Sequence, residues 1–245
     1  MALTRELGKS SYQVVCLQEI QLHQYQQLLV RECSSYPYAY HERYVHCPKG
    51  GLLTLSRIPI STKSFQPYQE RGLWYTPMLL DRLFYKGMLI TKLSWESIPV
   101  TIINTHILAN FAGDWKRRGM YARVEEKQLR ELAKTVRAQP TDSLIVVVGD
   151  FNIPRGSSLY YDFIEQSGLT DALAGDGRPT LRAPFRVSLQ DTLSIDYALF
   201  RSPKECSLKV NCDLCFVEKY PIRKSQHNYL SDHYGIEMQI TANNI

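Results

Sequence analysis

The stretch "LIVVVGDFNI", residues 144–153, constrains the fold more than any other part of the chain. Its five consecutive aliphatic residues read as a short strand too apolar to leave either face in water, so the sheet that contains it must be covered on both sides. The run stops abruptly at Gly149-Asp150-Phe151-Asn152. Polar side chains are thereby delivered to the rim of a buried sheet, where binding and catalytic groups often sit.

Other strand-like runs recur at 13–20, 50–60, 87–95, 99–107, 194–200, 207–217 and 234–241. Helical patterns interrupt them at 22–33, 120–139 and 157–168. The longest carries Tyr121, Val124, Leu132 and Val136 at near-helical spacing, with Pro140 just past its end. The last opens on serines and closes on Gly168, the usual caps. Many strands, few helices and no internal repeat predict a single α/β domain over residues 1–245, with packed sheets flanked by helices. Residues 61–86 and 171–193, rich in Pro, Gly, Arg and aromatics, read as long loops suited to binding or gating.

Composition narrows function only a little. The net charge of +5, from 29 basic and 24 acidic residues, suits a phosphate-bearing partner without demanding nucleic acid. Sixteen Tyr and three Trp serve a core, a stacking surface or a membrane interface equally well. No segment approaches the roughly 18 apolar residues that cross a bilayer, so no transmembrane span is expected, and residues 1–20 lack a signal-peptide core. Cys212-x-x-Cys215 has the form of a redox or zinc half-site, but no second pair faces it, and the alternation in "LKVNCDLCFV" favours a strand.

Polar residues at strand ends carry more. Glu19 follows "VVCLQ", His106 follows "IINT", Asp150 and Asn152 flank Phe151, Asp196 heads "DYALF", and Asp232-His233 precede the last strand. Any one of these is commonly a cap or a turn former. Together, oxygen ligands with two histidines and no facing cysteines describe a site for a hard divalent cation, Mg²⁺ before Zn²⁺. Magnesium pairs with phosphate, and a histidine held by a carboxylate can take a proton from water, so the chemistry indicated is phosphoester hydrolysis.

In order and in register, "CLQE", "NTH", "GDFN", "IDY" and "SDH" resemble the signature of the endonuclease/exonuclease/phosphatase superfamily across nearly the whole chain. The resemblance implies a four-layer α/β sandwich of two packed mixed sheets flanked by helices, with the site where their strand ends meet. It implies that Glu19 is an acidic Mg²⁺ ligand and Asp232 an acid near a second ion. Asp150 with Asn152 would position phosphate and water, His233 would be the general base oriented by Asp196, and His106 would contact the phosphate and help the leaving group.

Asp81, five residues before Lys86-Gly87, is similar to the Asp…Lys-Gly arrangement of neutral sphingomyelinases, which makes this pair a candidate substrate gate. A surface ion pair is the plainer reading of the same two residues. The branch implies a phospholipid headgroup as substrate, with peripheral membrane contact. "RGLWYTPMLL" (71–80) and "NFAGDW" (110–115) fit a lipid interface or the core equally. A nuclease of the same superfamily is the alternative, with Arg117, Arg118 and Arg155 as phosphate contacts, and a catalytically dead binding module is a third reading.

One departure stands out. The superfamily begins with a strand ending in a metal-binding Asn, whereas "ALTRELGKS" resembles the tail of the helix that follows it, and no Asn occurs before position 104. The expectation is a chain truncated at its N-terminus, with weakened activity and an open localisation, cytoplasmic or secreted.

Overall fold

A computed structural model describes residues 2–45, 47–116, 119–182, 193–222 and 228–242, the side chains of residues 80 and 81 excepted. In chain order the elements are α1 (Ala2–Lys9), β1 (Val14–Leu17), α2 (His23–Glu32), β2 (Tyr38–Tyr40), β3 (Leu53–Ser56), β4 (Thr62–Pro67), α3 (Met78–Leu83), β5 (Gly87–Trp95) and β6 (Ile98–His106). They continue with α4 (Met120–Arg137), β7 (Leu144–Asp150), α5 (Ser158–Ser167), β8 (Thr170–Asp171), β9 (Asp196–Arg201), β10 (Leu208–Cys215) and β11 (Gly235–Ala242).

The apolar run at 144–148 lies where its composition requires. β7 is inside a six-stranded sheet of order β4-β5-β6-β7-β9-β8, parallel to β6 and antiparallel to β9. Ile145 and Val147 face α4 and α5, packing with Leu129, Leu132, Val136, Leu159 and Phe163. Leu144 and Val146 face the other way, against Val14, Cys16, Leu208, Met238 and Ile240 of β1, β10 and β11. Each such aliphatic side chain, removed from water, contributes about 1.5–3 kcal/mol. Alternation then carries the packing outward, because Val15 and Leu17 of β1 turn away from the large sheet to meet Leu7 of α1 and Leu29 of α2.

The result is a four-layer α/β sandwich: α4 and α5, the six-stranded sheet, a second sheet layer, then α1 and α2. The second sheet layer consists of an antiparallel β1-β3-β2 sheet and an antiparallel β10-β11 pair, with no strand ladder joining the two among the described residues. Tyr12 spans them, its hydroxyl donating to Glu237 Oε2 at 2.8 Å. Likewise α5 has the expected caps: the Ser157 hydroxyl accepts from the Tyr160 N–H, and Gly168 closes the helix at φ +68°.

Three expectations need correction. Residues 61–86 are not simply a loop, for they contain β4 and α3. β4 ("TKSFQP") is an edge strand with most residues exposed, so it lacks apolar alternation, and Pro67 is tolerated at its end. The 50–60 run shortens to β3, because Gly50 and Gly51 adopt φ +66° and +64° in a tight turn. β2, three residues long, was not expected at all. Within 171–193 the described part holds the end of β8, and residues 183–192 lie outside the described residues. Cys212 and Cys215 sit in β10 three positions apart, hence on opposite faces, which suits a strand and not one ion.

Asn104 ties the two sheet layers together. It is fully buried in β6, and its Nδ2 donates to the carbonyls of Leu17 and Leu53 while its Oδ1 accepts from Gln18 Nε2 at 2.7 Å. Removing this amide strands buried partners in both layers. Asn104→Ala is expected to cost about 3 kcal/mol, read as a shifted urea midpoint; an unchanged midpoint would show that the tie is dispensable.

Candidate active site at the rim of the large sheet

The site begins with a close approach of two strands. A Cβ on Gly149 would lie 1.8 Å from the Thr105 carbonyl oxygen, and Gly149 has φ +146°, so only glycine fits there. The parallel register of β6 and β7 then sets His106 beside Asp150, with His106 Nε2 3.4 Å from Asp150 Oδ2. The antiparallel register of β7 and β9 sets Asp150 opposite Asp196. Asp196 Oδ2 in turn meets His233 Nδ1 at 2.8 Å. Ligand atoms of Asp150, Asp196 and His233 all lie within 4.8 Å of one another.

Asn152 is held at φ +53° just beyond the strand. Its backbone N–H donates to Asp150 Oδ1 at 2.8 Å, and its Nδ2 donates to the Ile107 carbonyl at 3.0 Å. That carbonyl also accepts from the buried Lys86 Nζ at 2.8 Å, while Trp115 Nε1 donates to the Asn152 carbonyl. Strained backbone held by so many bonds is typical of functional sites.

Residues 180–182 brace the Asp196–His233 pair from both sides. Thr180 Oγ1 accepts from the N–H groups of Ile195 and Asp196, and the Thr180 carbonyl accepts from the Tyr234 N–H. Leu181 bridges to His233, and the Arg182 N–H donates to the Asp232 carbonyl. The Arg182 guanidinium lies over the rings of Tyr234 and Tyr229 at 3.9 and 4.2 Å and donates to the Phe216 carbonyl.

Facing carboxylates polarise the whole site. Burial would raise the Asp150 carboxyl, but His106, His233 and Lys86 outweigh it and bring it down to about 2. Asp196 shifts upward, from burial first and then from the charge of Asp150, against the pull of His233. Burial would lower His233; Asp196, then Asp150 and Asp232, instead raise it to about 10. In this state the imidazolium supplies the positive charge that the two carboxylates require. The donor set of carboxylate oxygens and one imidazole suits a hard divalent cation.

The remaining sequence candidates lie further out. Glu19 and Asp232 are exposed and are not part of the 4.8 Å group. Glu19 is nonetheless fixed at the end of β1 with φ +58°, its neighbour Ile20 donating from N–H to the Gly51 carbonyl. Asp81 falls on α3 with its side chain outside the description, whereas Lys86 is buried and points its ammonium at Ile107. The structure therefore gives Lys86 an inward bond and not a surface role. Of the arginines considered for nucleic acid, Arg155 is half-buried and turned inward to an ion pair with Asp171 at 2.7 Å, stacking over Tyr197, and Arg117 and Arg118 lie outside the described residues.

The Endonuclease/Exonuclease/phosphatase family pattern matches residues 2–233. The chain belongs to that family. Within it the chain is similar to the sphingomyelinase-like branch. It is 28% identical over 167 residues to an inositol phosphosphingolipids phospholipase C of Saccharomyces cerevisiae, covering 66% of this chain and 34% of the relative. It is 29% identical over 116 residues to a sphingomyelinase C of Listeria ivanovii, 47% of this chain and 33% of the relative. The chain thus spans about a third of the length of these curated relatives. Among solved structures, SmcL superposes with a TM-score of 0.76 at 20% identity, over 98% of this chain and 91% of that one. Staphylococcus aureus beta toxin (F277A, P278A) with bound magnesium ions gives 0.74 at 19%, over 96% and 90%. D. rerio TDP2 with a single-strand DNA product gives 0.71 at 18%, over 99% and 90%.

Sequence reasoning passed over Thr180, Arg182 and Glu125. Glu125 is the inward-facing acid of α4, fully buried, with its Oε2 accepting from Asn110 Nδ2 and its Oε1 without a hydrogen-bond partner among the described residues. Burial raises its carboxyl to about 8 against the ordinary 4.5, and Asn110, then Trp115 and Lys86, offset this only in part. The only signal was an acid on the same helix stripe as Val124, Gln128 and Leu132. Because the folded-state value lies above the unfolded one, the neutral acid supports the fold below about pH 4.5, and that support is lost as pH rises through about 8. Glu125→Gln is therefore expected to flatten the loss of thermal stability between those pH values; parallel melting curves for the two proteins would refute it.

Proposed function

We propose that this chain is a divalent-cation-dependent phosphodiesterase that cleaves a phospholipid headgroup, in the manner of a sphingomyelinase, by attack of water. The observation that carries this reading is the Asp196–His233 pair lying in register beside Asp150. With Nδ1 engaged by Asp196, His233 has Nε2 left to take a proton, and its side chain is 25% exposed, so water can reach it. Asp196 fixes the tautomer and supports the imidazolium that forms. His106, 6% exposed and against Asp150, would contact the phosphoryl oxygen and steady the departing one. Asn152, bound through Asp150 and Ile107, orients the phosphate and the attacking water.

Mg²⁺ is the cation proposed. Asp150 would hold it, with Glu19 and, near a second ion, Asp232 following the family resemblance. When bound, the ion supplies charge that neutralises the phosphoryl group and offsets the facing carboxylates. A neutral His233 is needed for base catalysis, and the field of Asp196, Asp150 and Asp232 opposes that form in the cation-free protein.

The test is release of phosphocholine from sphingomyelin in Mg²⁺. His233→Ala and Asp150→Ala are each expected to lower kcat/KM by about 10²- to 10⁴-fold, and chelation should abolish turnover. Turnover indifferent to these changes would reject the assignment. The nuclease reading draws on the TDP2-like fold and the net charge of +5, and is disfavoured by the internal commitment of Arg155. Plasmid nicking faster than sphingomyelin hydrolysis in one buffer would reverse that preference.

A further inference from the structure

One buried acid stands behind the rim of the site and has no part in the chemistry described so far. The loop after β6 forms a wall of the cleft there, where Asn110 and Trp115 line it together with Asn152, Leu181 and Ile195. The loop has no strand partner, so side chains must satisfy and hold its backbone. α4 supplies two of them. Gln128 Oε1 accepts from the Leu108 N–H at 2.9 Å, near the start of the loop. One turn earlier on the helix, Glu125 Oε2 accepts from Asn110 Nδ2 at 3.2 Å. The same Nδ2 donates to the Asp114 carbonyl at 3.1 Å and closes the loop on itself. The Trp115 indole also lies against the Glu125 carboxyl, and its Nε1 donates to the Asn152 carbonyl at 2.9 Å. A line of contacts therefore runs from Glu125 through Asn110 and Trp115 to Asn152.

The carboxyl suits that place with its proton on. Glu125 Oε1 and Asn110 Oδ1 are both buried, and neither has a hydrogen-bond partner among the described residues. An ionised carboxylate would put a full charge beside oxygens that already lack donors, and protonation removes that cost. The surroundings agree with the geometry. Burial first, and then the charge of Asp150, hold the carboxyl up to about 8, against Asn110, Trp115 and Lys86.

We propose that Glu125 is a positioning residue of this site: its carboxyl sets Asn110 and Trp115 in the cleft wall, and Trp115 in turn holds Asn152 in place. The inference rests on the reading that Asn152 orients the phosphate and the attacking water. When Glu125 loses its proton, the carboxylate becomes a stronger acceptor than the Asn152 carbonyl and draws the indole N–H toward itself. Asn152, already at φ +53°, then loses one of the bonds that hold it. Activity falls on the alkaline side for a reason that lies outside the cation and the base.

The test follows the indole N–H signals of the full chain by nuclear magnetic resonance from about pH 6 to about pH 9.5. Trp115→Phe identifies which of the three tryptophan signals belongs to Trp115. In the wild type that signal should titrate with a midpoint of about 8, and in Glu125→Gln it should stay at its low-pH position throughout. A wild-type signal that does not move, or one that moves equally in Glu125→Gln, would overturn the proposal. With sphingomyelin and Mg²⁺, wild-type kcat should fall about tenfold per pH unit above the same midpoint while KM changes little. Glu125→Ala should lower kcat about tenfold at neutral pH. Glu125→Gln, which has the shape of the neutral acid, should restore most of that loss and level the alkaline fall. An alanine variant that melts earlier but keeps kcat and its pH profile would reveal a merely structural role and overturn the proposal. Should the alanine variant fail to fold, the glutamine variant decides alone, since its level profile needs no cavity. The indole signal needs no turnover: a protein whose Trp115 titrates as expected but which hydrolyses no sphingomyelin would sink the substrate reading and leave the anchoring role of Glu125 standing.

Discussion

Two carboxylates forced to face each other across adjacent strands are the constraint on which the rest of the site depends. Asp150 and Asp196 are register partners in β7 and β9, both turned toward the second sheet layer, and neither can move away without breaking the ladder that buries the strand. Like charges so placed need a positive partner or must give up an ionisation. His233 meets that need through its bond to Asp196, His106 lies against Asp150 at 3.4 Å, and a bound divalent cation would answer the same demand. The sheet therefore builds an electrostatic demand that the imidazole of His233 meets in part and that a bound cation would meet further.

That arrangement exists because β7 is covered on both faces. The helices on one side and the second sheet layer on the other fix β6, β7 and β9 so firmly that their ends can carry polar groups in unfavourable company. Gly149 adds the last element, since a side chain there would push β7 off Thr105 and separate His106 from Asp150. Stability is concentrated in the apolar interior, and strain is concentrated at the rim, at Asn152 and Glu19 with their positive φ angles.

The sequence revealed much of this because both the fold and the site follow from short-range patterns. The runs at 87–95, 99–107 and 144–150 became strands since their burial on one or both faces is written in their composition. His106, Asp150, Asp196 and His233, which the structure brings together, were legible because each sits within two positions of a strand end. What escaped depends on partners distant in the chain. β4 has only the single apolar Phe65 on an exposed edge. Thr180 and Arg182 matter through bonds to Asp196 and to Phe216, which no local pattern announces. Glu125 looked like one more polar residue on a charged helix until the packing closed over it.

The brace at 180–182 has a further consequence. One short segment holds the acid through Thr180 and the imidazole through Leu181 and Arg182, so the two members of the pair have a common support. Loosening that segment by heat, denaturant or sequence change does not degrade alignment gradually; it releases both groups at once. The pair and its brace are in this sense one cooperative unit of the fold, whose alignment can be lost while the layers beneath it are still intact.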